Sequence, residues 1–289
     1  MLSTKNDVTL IGRKPHVQAI HKKGLSIVGE VKRNFKIRAQ TQIRSIPEKS
    51  LIILTTKAYD SAEAIGSIAS LLRKDTAILV LQNGVGNEEI VRRASGGMAI
   101  VLRGVTKVAA EFLGPGRTKF WKGETIIESN DVGAKIAATW KECSLEARVS
   151  EHINEEVWKK MVVNCVVNPL TALFRVRNCE IWADSLETVR EAIVSECSDV
   201  ARAEGIVLAP DMSERLQRRL TGYTNYSSMY QDIARGRKTE IDFLNNKIVE
   251  LGRKHGINAP VNETIVSLIK FLEEQHGISR RKNQKKEEL

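Results

Sequence analysis

The chain has 289 residues, enough for two domains with separate cores, and its 42% hydrophobic content is that of a globular protein. Aromatic residues make up only 5%, so the cores rest on Val, Ile, Leu and Ala, as where strands are covered by helices on both faces. The net charge of +10 would suit a nucleic acid, an anionic membrane or a small polyanion, but the cations are spread along the chain and no nucleic-acid signature accompanies them.

The one compact basic run, Arg280 to Lys286, also precedes Glu287 and Glu288 and reads as a solvated tail. No run of about eighteen apolar residues occurs and no secretory leader opens the chain, so a soluble, cytoplasmic protein is expected, with neither a membrane nor a nucleic acid as partner. Cys143, Cys165, Cys179 and Cys197 lack CxxC or Cys/His ligand spacing, so neither a metal site nor a disulfide framework is expected.

Asp7 to Gly12 is a short β run, followed by Arg13-Lys14-Pro15 and an amphipathic segment to Lys23. Leu25 to Ile46 alternates as further strands would. Ser50 to Thr56 is an apolar run that stops at Lys57, and Ser61 to Arg73 reads as a helix. Thr76 to Gln82 repeats the pattern and stops at Asn83-Gly84-Val85-Gly86-Asn87. Strands alternating with helices predict a parallel α/β sheet, whose binding crevice lies outside the carboxyl ends of its strands. Arg13, Lys57 and Asn83 each stand at such an end. In a dinucleotide fold, a basic residue at Arg13 would accommodate the 2′-phosphate of NADP; a solvated Arg opening a loop is the plainer alternative.

Ala99 to Ala110 is another β run, Gly114-Pro115-Gly116 a turn, Gly116 to Ser129 a hairpin and Asp131 to Ser144 an amphipathic helix. A boundary is expected near residues 145 to 152. Beyond it Ser185 to Gly205, Asp211 to Tyr223, Ser228 to Gly256 and Asn262 to His276 carry helical periodicity. The expected organisation is an α/β dinucleotide-binding domain over 1–148, a helical domain over 149–278 and a basic tail over 279–289.

The helix expected over 152–174 carries the chemistry. Lys160, Asn164 and Asn168 recur every four residues, each step advancing about 40°, so they form a drifting column on an otherwise apolar helix. A buried ammonium must be paired or solvated, which predicts that the column faces a cavity. A snorkelling Lys beside Asn amides satisfied by neighbouring backbone is the plainer reading. Pro169 removes the donor for the Cys165 carbonyl and is expected to bend the helix.

W-K-K-M-V-V-N-C-V-V-N-P-L-T-A at 158–172 resembles the central motif of ketopantoate 2-reductases. T-K-A-Y-D at 56–60, Q-N-G-V-G at 82–86 and S-S-M-Y-Q-D-I-A-R-G-R-K-T-E-I-D-F-L-N at 227–245 follow in family order. The resemblance covers nearly the whole chain. It implies a Rossmann-type domain followed by an all-helical domain of the 6-phosphogluconate dehydrogenase C-terminal-like type, and NADPH-dependent reduction of ketopantoate to pantoate on the route to pantothenate and coenzyme A. Carried over by position, Lys160 is the proton donor and Glu240 lies by the nicotinamide ribose and the catalytic site. Arg13, Lys57, Asn83 and Ala110 meet the cofactor NADPH, while Asn83, Asn164, Asn168, Asn178 and Ser228 meet the substrate. No metal is implied, and a homodimer is left open. Without the resemblance, Glu240 reads as a surface ion-pair partner in a charged helix with Arg235, Arg237 and Lys238, and Ser228 as a helix cap.

The family opens with a strand and G-x-G-x-x-G, and this sequence has neither. The expectation is therefore an N-terminally truncated Rossmann-type domain: Met1 is not the natural start, and roughly twenty residues, a typical βα length, precede it. The missing strand would sit between the Val8 and Ile52 strands. Two alternatives remain: a related hydroxyacid dehydrogenase acting on another 2-oxo or 3-hydroxy acid, and a non-catalytic nucleotide-binding or regulatory remnant. The intact Lys160, Asn164, Ser228 and Glu240 argue against the second.

Overall fold

The computed structural model describes residues 1–278; the expected basic tail at 279–289 lies outside the described residues. The chain forms two compact units, Met1–Gln82 with Gly86–Ile153, and Asn83–Val85 with the chain from Asn154 onward.

The first unit begins with β1 (Thr9–Ile11) and α1 (Lys14–Lys23). Pro15 in the first turn of α1 presets its φ, His21, Lys22 and Lys23 complement the dipole of its last turn, and Gly24 ends it at φ +76. There follow β2 (Leu25–Gly29), β3 (Arg33–Phe35), β4 (Arg38–Gln40) and β5 (Leu51–Leu54). Then come α2 (Ser61–Gly66), β6 (Ala77–Val80), α3 (Asn87–Ala94) and β7 (Ile100–Thr106). The unit ends with β8 (Ala109–Gly114), β9 (Arg117–Trp121), β10 (Thr125–Glu128), α4 (Asp131–Glu142) and β11 (Ala147–Ser150).

Five strands form the main sheet in the order β11-β10-β7-β6-β5, parallel except for the β10–β7 pair. All four residues of β6 are buried. Ile78 and Val80 pack with Ile65 and Val91 on one face, and Leu79 packs with Leu102, Ile127 and Trp140 on the other. That double burial is why the run reads as continuously apolar rather than alternating. β1 pairs in parallel with β4 in a separate two-stranded sheet, β5 lies at the edge of the main sheet, and β3-β2-β9-β8 form a third sheet.

Three sequence expectations in this unit change. The helix expected over Ser61 to Arg73 stops at Gly66, where propensity is poorest, and resumes only as a 3₁₀ turn at Ala69–Leu71. The hairpin is β8–β9 around Gly114-Pro115-Gly116, not Gly116 to Ser129. Thr125, Ile126 and Ile127 are all buried, so β10 needs cover on both faces and joins the main sheet instead. β11 is a strand that periodicity did not announce, four residues being too few to show one.

The second unit contains α5 (Ile153–Phe174), α6 (Glu187–Ala203), α7 (Met212–Leu220), α8 (Ser228–Ala234), α9 (Asn245–Lys254) and α10 (Pro260–Gln275). Trp158, Met161, Val162, Cys165 and Val166 of α5 pack with Ile193 and Val200 of α6, Ile248 of α9, and Ile265 and Ile269 of α10. The stretch expected as one helix from Ser228 to Gly256 is broken. α8 ends before Gly236, at φ +58, and a 3₁₀ turn at Ile241–Phe243 precedes α9. Glu240 therefore sits in a connection rather than on a charged helix face. Among the described residues, no helix is long and apolar enough to cross a membrane.

Candidate functional site

The site builds from α5. Its 22 residues include Pro169, and the spacing of four puts Lys160, Asn164 and Asn168 along one side. Asn164 and Asn168 are buried and Lys160 is half-buried. Two other segments of the same unit meet this column. Asn83 Nδ2 donates to Glu240 Oε2 at 3.2 Å, and Asn164 Nδ2 donates to Asn83 Oδ1 at 3.4 Å. One amide thus bridges a carboxylate and the helix. Glu240 is 6% exposed, which removes the surface ion-pair reading.

Gly84 permits this approach. It lies at φ +91, and a Cβ there would fall 2.3 Å from the Phe243 carbonyl oxygen, in the 3₁₀ turn that follows Glu240. Only a residue without a side chain lets the two backbones meet so closely. Val85 packs on the helical core beside it.

Pro169 has no N–H to offer the Cys165 carbonyl, and a buried carbonyl without a donor costs about 1–3 kcal/mol. Asn245 Nδ2 supplies the bond at 2.9 Å and also reaches Asn262 Oδ1 at 2.9 Å. Asn262 Nδ2 donates to Glu196 Oε2 at 2.7 Å, and Glu196 accepts from the Val261 and Asn262 amides at the start of α10.

Asn178 is buried, its amide N–H donates to the Asn225 carbonyl, and its Oδ1 is buried without a hydrogen-bond partner. Ser228 is exposed at the first position of α8. The cap is not Ser228 but Ser227, whose buried hydroxyl accepts from the Tyr230 amide at 3.1 Å and from Thr171 Oγ1 at 2.7 Å. That leaves the Ser228 hydroxyl outside the capping role.

The other named residues lie in the first unit. Arg13 is exposed one residue beyond β1, at the N-cap of α1. Lys57 is half-buried after β5, before a 3₁₀ turn at Ala58–Asp60, and Ala110 is exposed on β8. The structure thus joins Asn83, Asn164 and Glu240 directly, aligns Lys160 and Asn168 with them on α5, and places Arg13 and Lys57 at two strand ends.

Sequence reasoning missed Arg103. Its guanidinium, 3% exposed, donates to the Val80 and Gln82 carbonyls at 3.1 and 3.0 Å, holding the exit of β6 just before Asn83. Burial pushes its pKa below the ordinary value, opposed by the Glu88 carboxylate. A lone Arg inside the apolar run Ile100–Thr106 was the available signal. It also missed Asn245 and Asn262, whose signal was an amide at apolar helix positions. Among the described residues, no group of three or more His, Cys, Asp or Glu side chains is placed to hold a metal ion.

A parallel α/β unit with cations at its strand ends, joined to a helical unit bearing a Lys/Asn/Glu cluster, is the build of a two-domain oxidoreductase. Residues 1–131 match the model described as ketopantoate reductase PanE/ApbA, and residues 152–273 its C-terminal counterpart. The 2-dehydropantoate 2-reductase of Pyrococcus abyssi is 39% identical over 281 residues, covering 94% of this chain and 91% of the relative; that of Pyrococcus horikoshii is 36% identical at 95% and 92% coverage. A crystal structure of a PanE/ApbA family ketopantoate reductase from Ralstonia eutropha superposes with a TM-score of 0.86 at 30% identity, covering 96% and 93%. A D-mandelate dehydrogenase solved with NADH and anilino(oxo)acetate superposes at 0.87 with 29% identity, covering 96% and 94%. The chain belongs to the ketopantoate reductase PanE/ApbA family.

Proposed function

We propose that this protein reduces the ketone of 2-dehydropantoate to pantoate with NADPH, Lys160 being the proton donor. The observation that carries the reading is the joining of Asn83, Glu240 and Asn164 beside the Lys160 turn of α5. Pantoate formation would place the protein on the route to pantothenate and coenzyme A.

The residues present fit the cofactor in part: in one unit Arg13 and Lys57 follow β1 and β5 and offer cations suited to phosphate, in the other Asn83 and Glu240 offer an amide and a carboxylate suited to a ribose, and the sequence offers no G-x-G-x-x-G for the pyrophosphate. Ala110 is assigned beside it. When bound, the nicotinamide supplies the hydride to the ketone carbon. Lys160 stabilises the alkoxide oxygen as negative charge builds there, donates one proton to it, and is reprotonated from solvent. Asn164 and Asn168 hold the substrate's carbonyl and hydroxyl by their amides, and Ser228 donates to its carboxylate. The partnerless Asn178 Oδ1 is an acceptor a substrate hydroxyl would satisfy. Glu240, held by Asn83, orients the Lys160 site. No metal is needed for this sequence of steps. The assembly we propose is a homodimer, to be read by sedimentation.

The likeness to a D-mandelate dehydrogenase favours a second reading, reduction of a different 2-oxo acid with NADH. Steady-state rates with ketopantoate and with an aryl 2-oxo acid, each with NADPH and NADH, separate the two. Preference for ketopantoate with NADPH is expected; preference for the aryl acid with NADH replaces the first reading by the second.

A further inference from the structure

We propose that Asn245 is a positioning residue that ties the open carbonyl of α5 to the segment carrying Glu240, and so sets the distance across the Asn164–Asn83–Glu240 bridge. The inference rests on the reading of that cluster as the reductase site. Five observations carry it.

Pro169 leaves the Cys165 carbonyl without its helical donor, and Cys165 is the residue next to Asn164. Asn245 reaches that carbonyl with the same amide nitrogen that reaches Asn262, both at 2.9 Å. Cys165, Asn245 and Asn262 are all 0% exposed, so no water competes for these bonds. Between Glu240 and Asn245 run only Leu244 and the 3₁₀ turn Ile241–Phe243, which is braced at its Asp242 by Lys238 and Lys270. The far end of the chain of bonds is Glu196 of α6, which holds the first turn of α10 through three N–H donors. Four helices therefore converge on one carbonyl beside the Lys160/Asn164 face. A structure needing only to satisfy that carbonyl could have used an ordinary residue at 169 instead.

The test is a cycle of Asn245→Leu and Pro169→Ala, with stability and kinetics read together. Asn245→Leu is expected to lower kcat for ketopantoate reduction by roughly 10- to 100-fold with KM changed far less, the scale of an ångström-sized misplacement of reacting groups. Adding Pro169→Ala returns an N–H to the Cys165 carbonyl, so the double variant should regain unfolding midpoint without regaining kcat. A merely structural role makes the opposite prediction, that kcat recovers in step with stability, and that result overturns the proposal. A crystal structure of Asn245→Leu supplies a readout independent of turnover: the Asn83–Glu240 and Asn164–Asn83 contacts should open beyond hydrogen-bond reach, and both remaining closed also overturns it. Should the unaltered protein reduce no ketopantoate, the proposed function fails while this structural readout still decides. If Asn245→Leu does not fold, Asn245→Ser, too short to span both acceptors, takes its place.

Discussion

On the proposed reading, cofactor choice turns on Arg13. Exposed at the end of β1, it would form charge-assisted bonds to a 2′-phosphate that NADH lacks. Such bonds contribute about 1.5–3 kcal/mol, roughly 10- to 150-fold in affinity. Arg13→Ala should raise KM for NADPH by that order and leave KM for NADH unmoved; equal effects on both would detach Arg13 from the phosphate. At this scale the candidate site was legible where chemistry clashed with pattern. Lys160, Asn164 and Asn168 stood out as polar groups on an apolar helix, and Pro169 announced an open carbonyl at Cys165. The donor that answers it, Asn245, lies 80 residues away, and no local pattern encodes a partner so distant. Glu240 was named only through resemblance, since its burial depends on a break in helix that its charged neighbours disguise.

Among the elements, the loop at Asn83–Val85 and the 3₁₀ turn at Ile241–Phe243 hold the site together. Gly84→Ala would force a positive-φ strain of roughly 1–3 kcal/mol and drive a methyl onto the Phe243 carbonyl. Urea unfolding should show a lower midpoint, and kcat should fall as Asn83 leaves Glu240; an unchanged midpoint would mean the close approach is not needed. The turn itself is braced by Asp242. Burial pushes that carboxyl up, but the Lys270 and Lys238 ammonium groups outweigh it and hold the pKa below its ordinary value. A carboxyl lowered in the folded state contributes stability that is present above its unfolded pKa, about 3.9, and is lost as pH falls through the folded value. Asp242→Asn should therefore lower the unfolding midpoint at pH 7, with the gap narrowing only once the pH drops below about 4. A gap independent of pH would remove the ion pairs from the account. Element type was readable from periodicity, but ends were not: Gly66 and Gly236 stop helices whose apolar spacing continues past them.

For the whole molecule, alternating strand and helix runs followed by helices alone made the α/β unit and the helical unit legible, because burial on two faces and on one stripe leave different periods. Sheet membership was not legible. Which strand β10 joins depends on cover for three consecutive buried residues, a property of the assembled unit. Each unit carries polar groups the sequence had singled out, Arg13 and Lys57 in the α/β unit and Lys160, Asn164 and Glu240 in the helical one.

Lys160 is proposed to give the proton in an NADPH-linked reduction of ketopantoate. The direct measurement is NADPH oxidation with ketopantoate by the unaltered protein and by Lys160→Ala, with NADPH affinity followed separately by fluorescence. General acid catalysis contributes about 10²- to 10⁴-fold, so kcat should fall by that factor in the variant while NADPH affinity holds. Equal turnover by the two proteins, or none by either while both bind NADPH, would contradict the account.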